Sequence, residues 1–257
     1  MCFDKIERID LNAVILIAFF IFLWYNECNE RLSKGKRMDC KGKILNVLGD
    51  SITAGAFTSG EEHTFCSLLK ERLGFAEVRN YGSPGSPIAA HIREDGTWSE
   101  GGSFYQRALN MDLNADVVMV FGGTNDFGQG DVPLGSFEDR TLYSFYGACH
   151  KLFGYLIEAY PNATLVAVTP THRRDEDNPR GGDGRKPQDV GTLLDYINVI
   201  REVAAYYSIP VLDMYLVSGM NPNIPSVRER FCPDGLHFND AGHLRLADRM
   251  EGFLRAL

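Results

Sequence analysis

Residues 43–53, KILNVLGDSIT, decide how the chain folds. The first part of this stretch, Ile44–Leu48, is a run of apolar and β-prone residues closed by glycine, which is typical of a short buried strand. The residues that follow, Ile52–Ala56 and Glu61–Leu73, have helical composition. The pattern therefore predicts Ser51 at a strand-to-helix turn on the carboxyl edge of a sheet, with an exposed hydroxyl, where open α/β sheets place their chemistry.

Strand-like and helix-like segments alternate along the rest of the chain. Four further strands are predicted: Ala76–Asn80, Asp116–Phe121, Thr164–Thr169 and Pro210–Asp213. The second and third are nearly continuous apolar runs, as expected for strands covered on both faces of a parallel sheet. Helical periodicity predicts three long helices at Thr141–Tyr160, Val190–Tyr207 and Ala241–Leu257. This alternation indicates an α/β fold with a parallel sheet and helices on both sides, built as a single domain.

Length and charge restrict the possible functions. The chain has 257 residues, which suits one domain over residues 41–257 and an N-terminal extension over residues 1–40. The net charge is −8, and no basic cluster stands out. An acidic chain of this kind is not expected to bind nucleic acid, which requires clustered Lys and Arg.

The extension contains one short hydrophobic segment, Leu11–Tyr25. It is shorter than the roughly 20 apolar residues of a spanning helix, and no basic n-region or small-residue cleavage site accompanies it. It could be an uncleaved anchor, a poor signal peptide or an upstream extension that is not translated. We expect a cytoplasmic protein if the chain effectively starts near Met38, and an anchored or exported one if the segment functions. Membrane contact is expected only through residues 11–25.

Cysteine and histidine spacing gives no sign of a metal site. The six cysteines are scattered without C-x-x-C spacing, so they are predicted to be free thiols that mostly pack in the interior. His243 falls within the last predicted helix and is interpreted as structural, with a metal role beside His237 as the weaker alternative. No metal and no organic cofactor are expected.

Three motifs follow GDS in a fixed order: NYGSPG at residues 80–85, GGTND at 122–126 and DGLH at 234–237. Together the four blocks resemble those of the SGNH hydrolases, the GDSL-type esterases and lipases, from Lys43 to the C-terminus. The chain has Ile52 where the GDSL motif has leucine, which is a minor departure. The resemblance implies a three-layer α/β/α sandwich whose five-stranded parallel sheet has a flavodoxin-like strand order.

The chemistry of ester cleavage needs a nucleophile, an oriented base and donors for the oxyanion. Ser51 is the candidate nucleophile. His237 is the candidate base, because among six histidines it alone has an acidic residue, Asp234, three positions earlier within a Pro-Asp-Gly loop. In a short loop Asp234 could fold back onto the ring and fix its tautomer. The alternative is that Asp234 only supports a turn.

Three groups are predicted to form the oxyanion hole: the backbone N–H of Ser51, the backbone N–H of Gly85 and the side-chain amide of Asn125. The resemblance favours Gly85 as the glycine of the second block, because it lies five residues after Asn80. Gly82 remains the alternative.

These residues predict a serine esterase that works through an acyl-enzyme. An O-acetylated carbohydrate is the first substrate hypothesis, because Trp98 in a Gly-rich stretch could form an aromatic platform for a sugar. A lysophospholipase or thioesterase and a catalytically idle binding module are the alternatives. The long polar segment Thr171–Gly191 is either a solvated loop or a rim that selects the substrate.

Overall fold

The computed structural model describes residues 38–92, 98–99, 102–130, 132–186 and 189–257. Residues Cys40–Leu254 form one compact unit. The predicted extension, apart from its last few residues, and the hydrophobic segment Leu11–Tyr25 lie outside the described part of the chain. Within that part, no helix is both long enough and apolar enough to cross a bilayer.

Seven short strands are described. They are β1 (Ile44–Gly49), β2 (Glu77–Gly82), β3 (His91–Ile92), β4 (Trp98–Ser99), β5 (Val117–Phe121), β6 (Thr164–Val168) and β7 (Val211–Leu212). Five of them form one all-parallel sheet in the order β2-β1-β5-β6-β7. Strands β3 and β4 form a separate antiparallel pair. The main sheet thus has the predicted flavodoxin-like order, in which the first strand in sequence lies between the second and third strands of the sheet.

Helices cover both faces of the sheet, as predicted for a three-layer fold. They are α1 (Ser51–Ala54), α2 (Phe65–Leu73), α3 (Phe104–Ala108), α4 (Thr124–Gln129), α5 (Phe145–Ala159), α6 (Leu193–Tyr206), α7 (Met214–Val217), α8 (Pro225–Phe231) and α9 (Asp240–Ala256), with a 3₁₀ turn at Glu61–His63. One layer contains α3, α5 and α6, whose apolar faces share a large core cluster. Helices α2 and α9 lie side by side in the other layer, where Arg72 pairs with Asp248 at 2.7 Å.

Burial explains why the strands were recognisable in the sequence. Every residue of β5 is buried, which accounts for its continuous apolar run. Removing such residues from water supplies about 25 cal/mol per Å² of apolar surface.

Side-chain caps set the helix boundaries, and here the sequence-based limits were too wide. The predicted helix Glu61–Leu73 is interrupted at Thr64, whose hydroxyl caps α2 by accepting from the Ser67 N–H at 3.2 Å. Helix α5 begins only after Ser144, which caps it by accepting from the Gly147 N–H. Helix α6 begins after Thr192, which forms a capping box with its third helical residue.

His243 is a structural residue in the α9 layer. Its Nδ1 accepts the backbone N–H of Phe65 at 3.1 Å, and its ring stacks on the Phe65 ring. The side chain is fully buried and Nε2 has no partner among the described residues. Burial lowers the pKa of His243 to about 4, so the imidazole is neutral at physiological pH.

His243 should make the folded state sensitive to acid. The unfolded histidine takes up a proton near pH 6.5 and the folded one only near pH 4, so its contribution is complete at pH 7 and is lost as the pH falls through this window. At pH 5 the loss should be about 2 kcal/mol of unfolding free energy. Urea unfolding gives the unfolding free energies of wild type and His243→Gln at pH 7 and at pH 5. The difference between the two proteins should change by this amount between the two pH values. The exposed His63→Gln is the control, and an equal difference at both pH values would contradict the prediction.

Candidate active site

Ser51 lies where β1 ends and α1 begins, on the carboxyl edge of the sheet. Asp50 precedes the helix and accepts the Ile52 N–H at 2.9 Å, which fixes the turn. The prediction that the Ser51 hydroxyl is exposed was wrong, because the residue is only 7% exposed. Its hydroxyl lies against His237 of the DGLH motif, a long-range contact that no local pattern around GDS could show.

The structure brings Ser51, His237 and Asp234 into one hydrogen-bonded chain. Ser51 Oγ lies 2.9 Å from His237 Nε2, and His237 Nδ1 lies 2.7 Å from Asp234 Oδ2. The other carboxylate oxygen, Asp234 Oδ1, accepts the backbone N–H groups of Leu236 and His237 at 2.9 and 2.7 Å. Gly235 makes this tight turn possible with a φ of +84°, which glycine adopts without strain. The aspartate therefore folds back onto the ring and also supports the turn.

The carboxylate of Asp234 is held in its ionised form. Partial burial alone would raise its pKa, but the hydrogen bonds from the His237 ring and from two backbone N–H groups outweigh burial and lower the pKa below its ordinary value. An ionised Asp234 can only accept a hydrogen bond, so Nδ1 of His237 carries the hydrogen and, in the neutral ring, Nε2 presents its lone pair to Ser51.

Asn125 lies in the first turn of α4, directly after β5. It is 8% exposed, and its Nδ2 donates to the backbone carbonyl of Ser86 at 3.1 Å. An amide nitrogen carries two hydrogens, so this bond orients the side chain and leaves one donor free. The loop that contains Ser86 and the α4 turn are thereby fixed to each other.

The two candidate glycines of the second block differ in their hydrogen bonds. The N–H of Gly82 donates to Asn80 Oδ1 at 2.8 Å and is therefore occupied. The N–H of Gly85 has no acceptor among the described residues, and Gly85 adopts a φ of +74°. Its carbonyl accepts from Gln129 Nε2 at 3.1 Å, which holds the peptide against α4. The geometry favours Gly85 over Gly82 as a free donor.

Asp126 is a buried residue whose role the sequence did not indicate. Its two carboxylate oxygens accept the N–H groups of Ile88 and Ala89, both at 2.9 Å, so it ties the segment after the second block to α4. Burial raises the pKa of Asp126 to about 6. Lys186 lies nearby and donates to the Asp126 backbone carbonyl at 2.7 Å.

Arg107 on α3 is a second residue that supports the site and that no sequence motif predicted. Its guanidinium donates to the backbone carbonyls of Gly49 and Tyr81 and to the hydroxyl of Ser86. It therefore joins the ends of β1 and β2 to the loop that contains Ser86, whose carbonyl accepts from Asn125. These contacts join residues that are distant in sequence, so local pattern reasoning could not find them.

Phe57 covers one face of the histidine. Its ring lies 5.4 Å from the His237 ring between centroids, with an angle of 9° between the planes. The residue is 57% exposed and has a φ of +73°, a backbone conformation that costs a bulky residue free energy. An exposed aromatic residue held in a strained conformation beside a reactive group indicates a functional position.

A cavity of about 260 Å³ adjoins this arrangement. Its walls come from α4, from the predicted rim segment and from the DGLH turn: Asn125, Gly128, Gln129, Arg173, Arg174, Asp175, Gly182, Asp183, Asp234, Gly235 and Leu236. Leu236 is the one large apolar side chain in this lining. Among the described residues no group of His, Cys, Asp and Glu is placed to hold a metal ion. Trp98 pairs with Ile92 in the β3–β4 hairpin, but its side chain lies outside the described part of the structure.

Known proteins give the family of this chain. A solved structure aligns at 35% identity with a TM-score of 0.74, covering 86% of this chain and 99% of its own. A protein from Lactobacillus plantarum aligns at 29% identity with a TM-score of 0.70, covering 83% and 97%. An acetyl xylan esterase shares the fold at 23% identity and a TM-score of 0.55, covering 82% and 98%.

The search of curated proteins found no significant match. The family described as "GDSL-like Lipase/Acylhydrolase family" matches residues 47–245, a range that contains Ser51, Gly85, Asn125, Asp234 and His237. The parallel sheet, the four motifs and this match agree, and the chain belongs to the GDSL-like lipase/acylhydrolase family.

Proposed function

We propose that this protein is a serine esterase that acts through an acyl-enzyme. The observation that carries the proposal is the hydrogen-bonded chain from Ser51 Oγ through His237 to Asp234. His237 Nε2 takes the proton of Ser51 as Oγ attacks the ester carbonyl, and then delivers it to the leaving alcohol. Water activated by the same nitrogen releases the acid from the acyl-enzyme.

The proposed oxyanion donors support this reaction. The N–H groups of Ser51 and Gly85 and the free hydrogen of the Asn125 amide belong to three loops at one edge of the sheet. Donors that are fixed before the reaction stabilise the tetrahedral intermediate without reorganising, and one such donor is typically worth about 10²–10³ in rate.

The character of the cavity favours a short acyl group on a polar molecule. The lining holds five charged side chains, Arg173, Arg174, Asp175, Asp183 and Asp234, and one large apolar side chain, Leu236. An O-acetylated carbohydrate is therefore proposed ahead of a lysophospholipid. The preference for a carbohydrate ester therefore rests on the charged side chains of the cavity and not on Trp98.

The function is tested with a panel of acetylated sugars, short aryl esters, thioesters and lysophospholipids. Pre-steady-state mixing with p-nitrophenyl acetate should give a burst of p-nitrophenol if an acyl-enzyme accumulates. Mass spectrometry of the quenched protein should then locate an acetyl group on Ser51. A protein that binds these compounds and cleaves none of them would be the idle binding module. A rate confined to lysophospholipids would establish the lipid alternative.

Phe57 should trade stability for activity. Phe57→Ala and Phe57→Gly both remove the ring over His237, and both should lower kcat/KM for aryl acetates by about 2–10-fold. Only glycine also relieves the positive φ, so the Gly variant should be more stable than the Ala variant by about 1 kcal/mol. Urea unfolding and steady-state kinetics measure the two effects. An Ala variant at least as stable as the Gly variant would show that the backbone is not strained there.

A further inference from the structure

Arg173 occupies a prepared slot in the wall of the cavity beside Asn125 and Asp234. Its guanidinium lies between Gly128 and Gly182, and a methyl group at either glycine would collide with the guanidinium nitrogens. Its carbon Cζ also lies 5.3 Å from the centre of the Phe127 ring. Two glycines and an aromatic ring therefore fix the orientation of this cation.

Only part of the guanidinium is used by the protein. Nη1 donates to the backbone carbonyl and the hydroxyl of Thr124 at 2.8 and 3.1 Å. Nε is buried and has no acceptor in the described part of the chain, whereas Nη2 has none there either but is not fully buried. Nη2 is therefore the guanidinium nitrogen that a carboxylate in the cavity can reach, through a charge-assisted hydrogen bond.

The carboxylates around the cavity are engaged elsewhere. Asp183 pairs with Arg185 at 3.0 Å, Asp175 pairs with Arg174 at 3.3 Å, and Asp234 pairs with His237. No described carboxylate lies within ion-pair distance of the Arg173 guanidinium. Desolvation lowers the pKa of Arg173, and the charges of nearby carboxylates, Asp183 first, offset part of this effect without forming an ion pair, so the group stays charged.

We propose that Arg173 is a specificity residue that binds a carboxylate group of the ester substrate. The inference rests on the proposed esterase function and narrows its substrate class to esters that also carry a carboxylate, such as acetylated acidic molecules. Asn125 lines the same cavity and is the proposed oxyanion donor, so the carboxylate and the reacting carbonyl belong to one bound molecule. Arg173 belongs to the segment Thr171–Gly191. Of the two roles considered for this segment, the assignment favours the rim that selects the substrate.

The first test compares matched substrates on the wild-type enzyme. In one arm the charge is on the alcohol, with 3-acetoxybenzoate against 3-acetoxybenzamide. In the other it is on the acyl group, with monophenyl adipate against its primary amide. A carboxylate held by a charged hydrogen bond should raise kcat/KM about 10–100-fold over the carboxamide in one of the arms. The arm that responds identifies the end of the substrate that Arg173 binds, and equal rates within both pairs would overturn the proposal.

The second test removes the cation. Arg173→Gln should lower kcat/KM for the preferred carboxylate ester about tenfold more than for its carboxamide partner. Arg249→Gln is the control, because Arg249 is an exposed arginine of α9 that does not line the cavity, and it should keep the wild-type ratio. An equal loss for both esters in Arg173→Gln would show that Arg173 only supports the fold and would overturn the proposal.

A binding measurement separates this inference from the proposed function. Calorimetry with Ser51→Ala protein reads the carboxylate contact without turnover, using the same two pairs of esters. Tighter binding of one carboxylate, lost in Ser51→Ala/Arg173→Gln, would support the Arg173 site even if wild type cleaved none of these esters. Equal affinities within both pairs would overturn the Arg173 site even if wild type cleaved them all.

Discussion

Ser51→Ala is expected to reduce kcat for p-nitrophenyl acetate by roughly 10⁶-fold, the scale seen when a serine hydrolase loses its nucleophile. The variant keeps the oxyanion donors and the cavity, so the remaining rate is what binding and oxyanion stabilisation supply without a covalent step. The pre-steady-state burst should vanish with it. Steady-state and stopped-flow measurements of p-nitrophenol release check both effects.

The fold should tolerate the change. Ser51 Oγ makes one hydrogen bond, to His237 Nε2, and that nitrogen can take a water molecule instead. Ser59→Ala is the matched control, because this exposed hydroxyl bonds to Asp240 and touches no proposed catalytic group. Near wild-type turnover by a correctly folded Ser51→Ala protein would end the serine-esterase proposal.

Asp234→Asn is expected to lower kcat by up to about 10⁴-fold while the site keeps its shape. The Oδ1 position accepts two backbone N–H groups, so an asparagine would place its carbonyl oxygen there and turn its NH₂ group toward His237 Nδ1. Nδ1 would then have to accept, and the ring proton would move to Nε2. A protonated Nε2 cannot take the proton of Ser51, so the variant holds the wrong tautomer.

This reasoning also ranks a second substitution. Asp234→Ala removes the support without imposing a tautomer, so it should be no less active than Asp234→Asn. Asp240→Asn is the control for charge, because Asp240 lies three residues after His237 and binds Ser59 instead of the ring. Measurements of kcat on all three variants check the order. If Asp234→Asn retained most of its activity, Asp234 would be assigned to support of the turn alone.

The sequence alone was sufficient for the architecture and for the central hydrogen-bonded chain. Apolar runs such as Val117–Phe121 are strand signals because a strand buried on both faces must be apolar throughout. Ser51 could be placed because a strand, a glycine turn and a helix follow one another within a few residues. Asp234 and His237 could be paired because three residues in a tight turn bring a carboxylate to a ring. These are local relations, and the fold does not change them.

Helix ends and the choice between glycines were less accessible to sequence reasoning. Helices α2 and α5 begin later than predicted, at the caps Thr64 and Ser144. At each cap a side-chain hydroxyl accepts a first-turn N–H that would otherwise lack a partner, so the helix can start there. Gly82 and Gly85 have equivalent local sequences, and only the hydrogen bond from Gly82 to Asn80 distinguishes a used donor from a free one.

Only the tertiary structure revealed how the site is supported and what surrounds it. Arg107 joins two strand ends to a loop, Phe57 lies over His237, and Arg173 enters a slot between Gly128 and Gly182. Each of these contacts unites segments far apart in the chain, and no periodicity or spacing encodes them. Nη2 of Arg173 has no acceptor in the described part of the chain, because the nearby carboxylates Asp175, Asp183 and Asp234 pair with other residues. Local sequence therefore determined the proposed chain of nucleophile, base and acid, and long-range packing decided which side chains surround it.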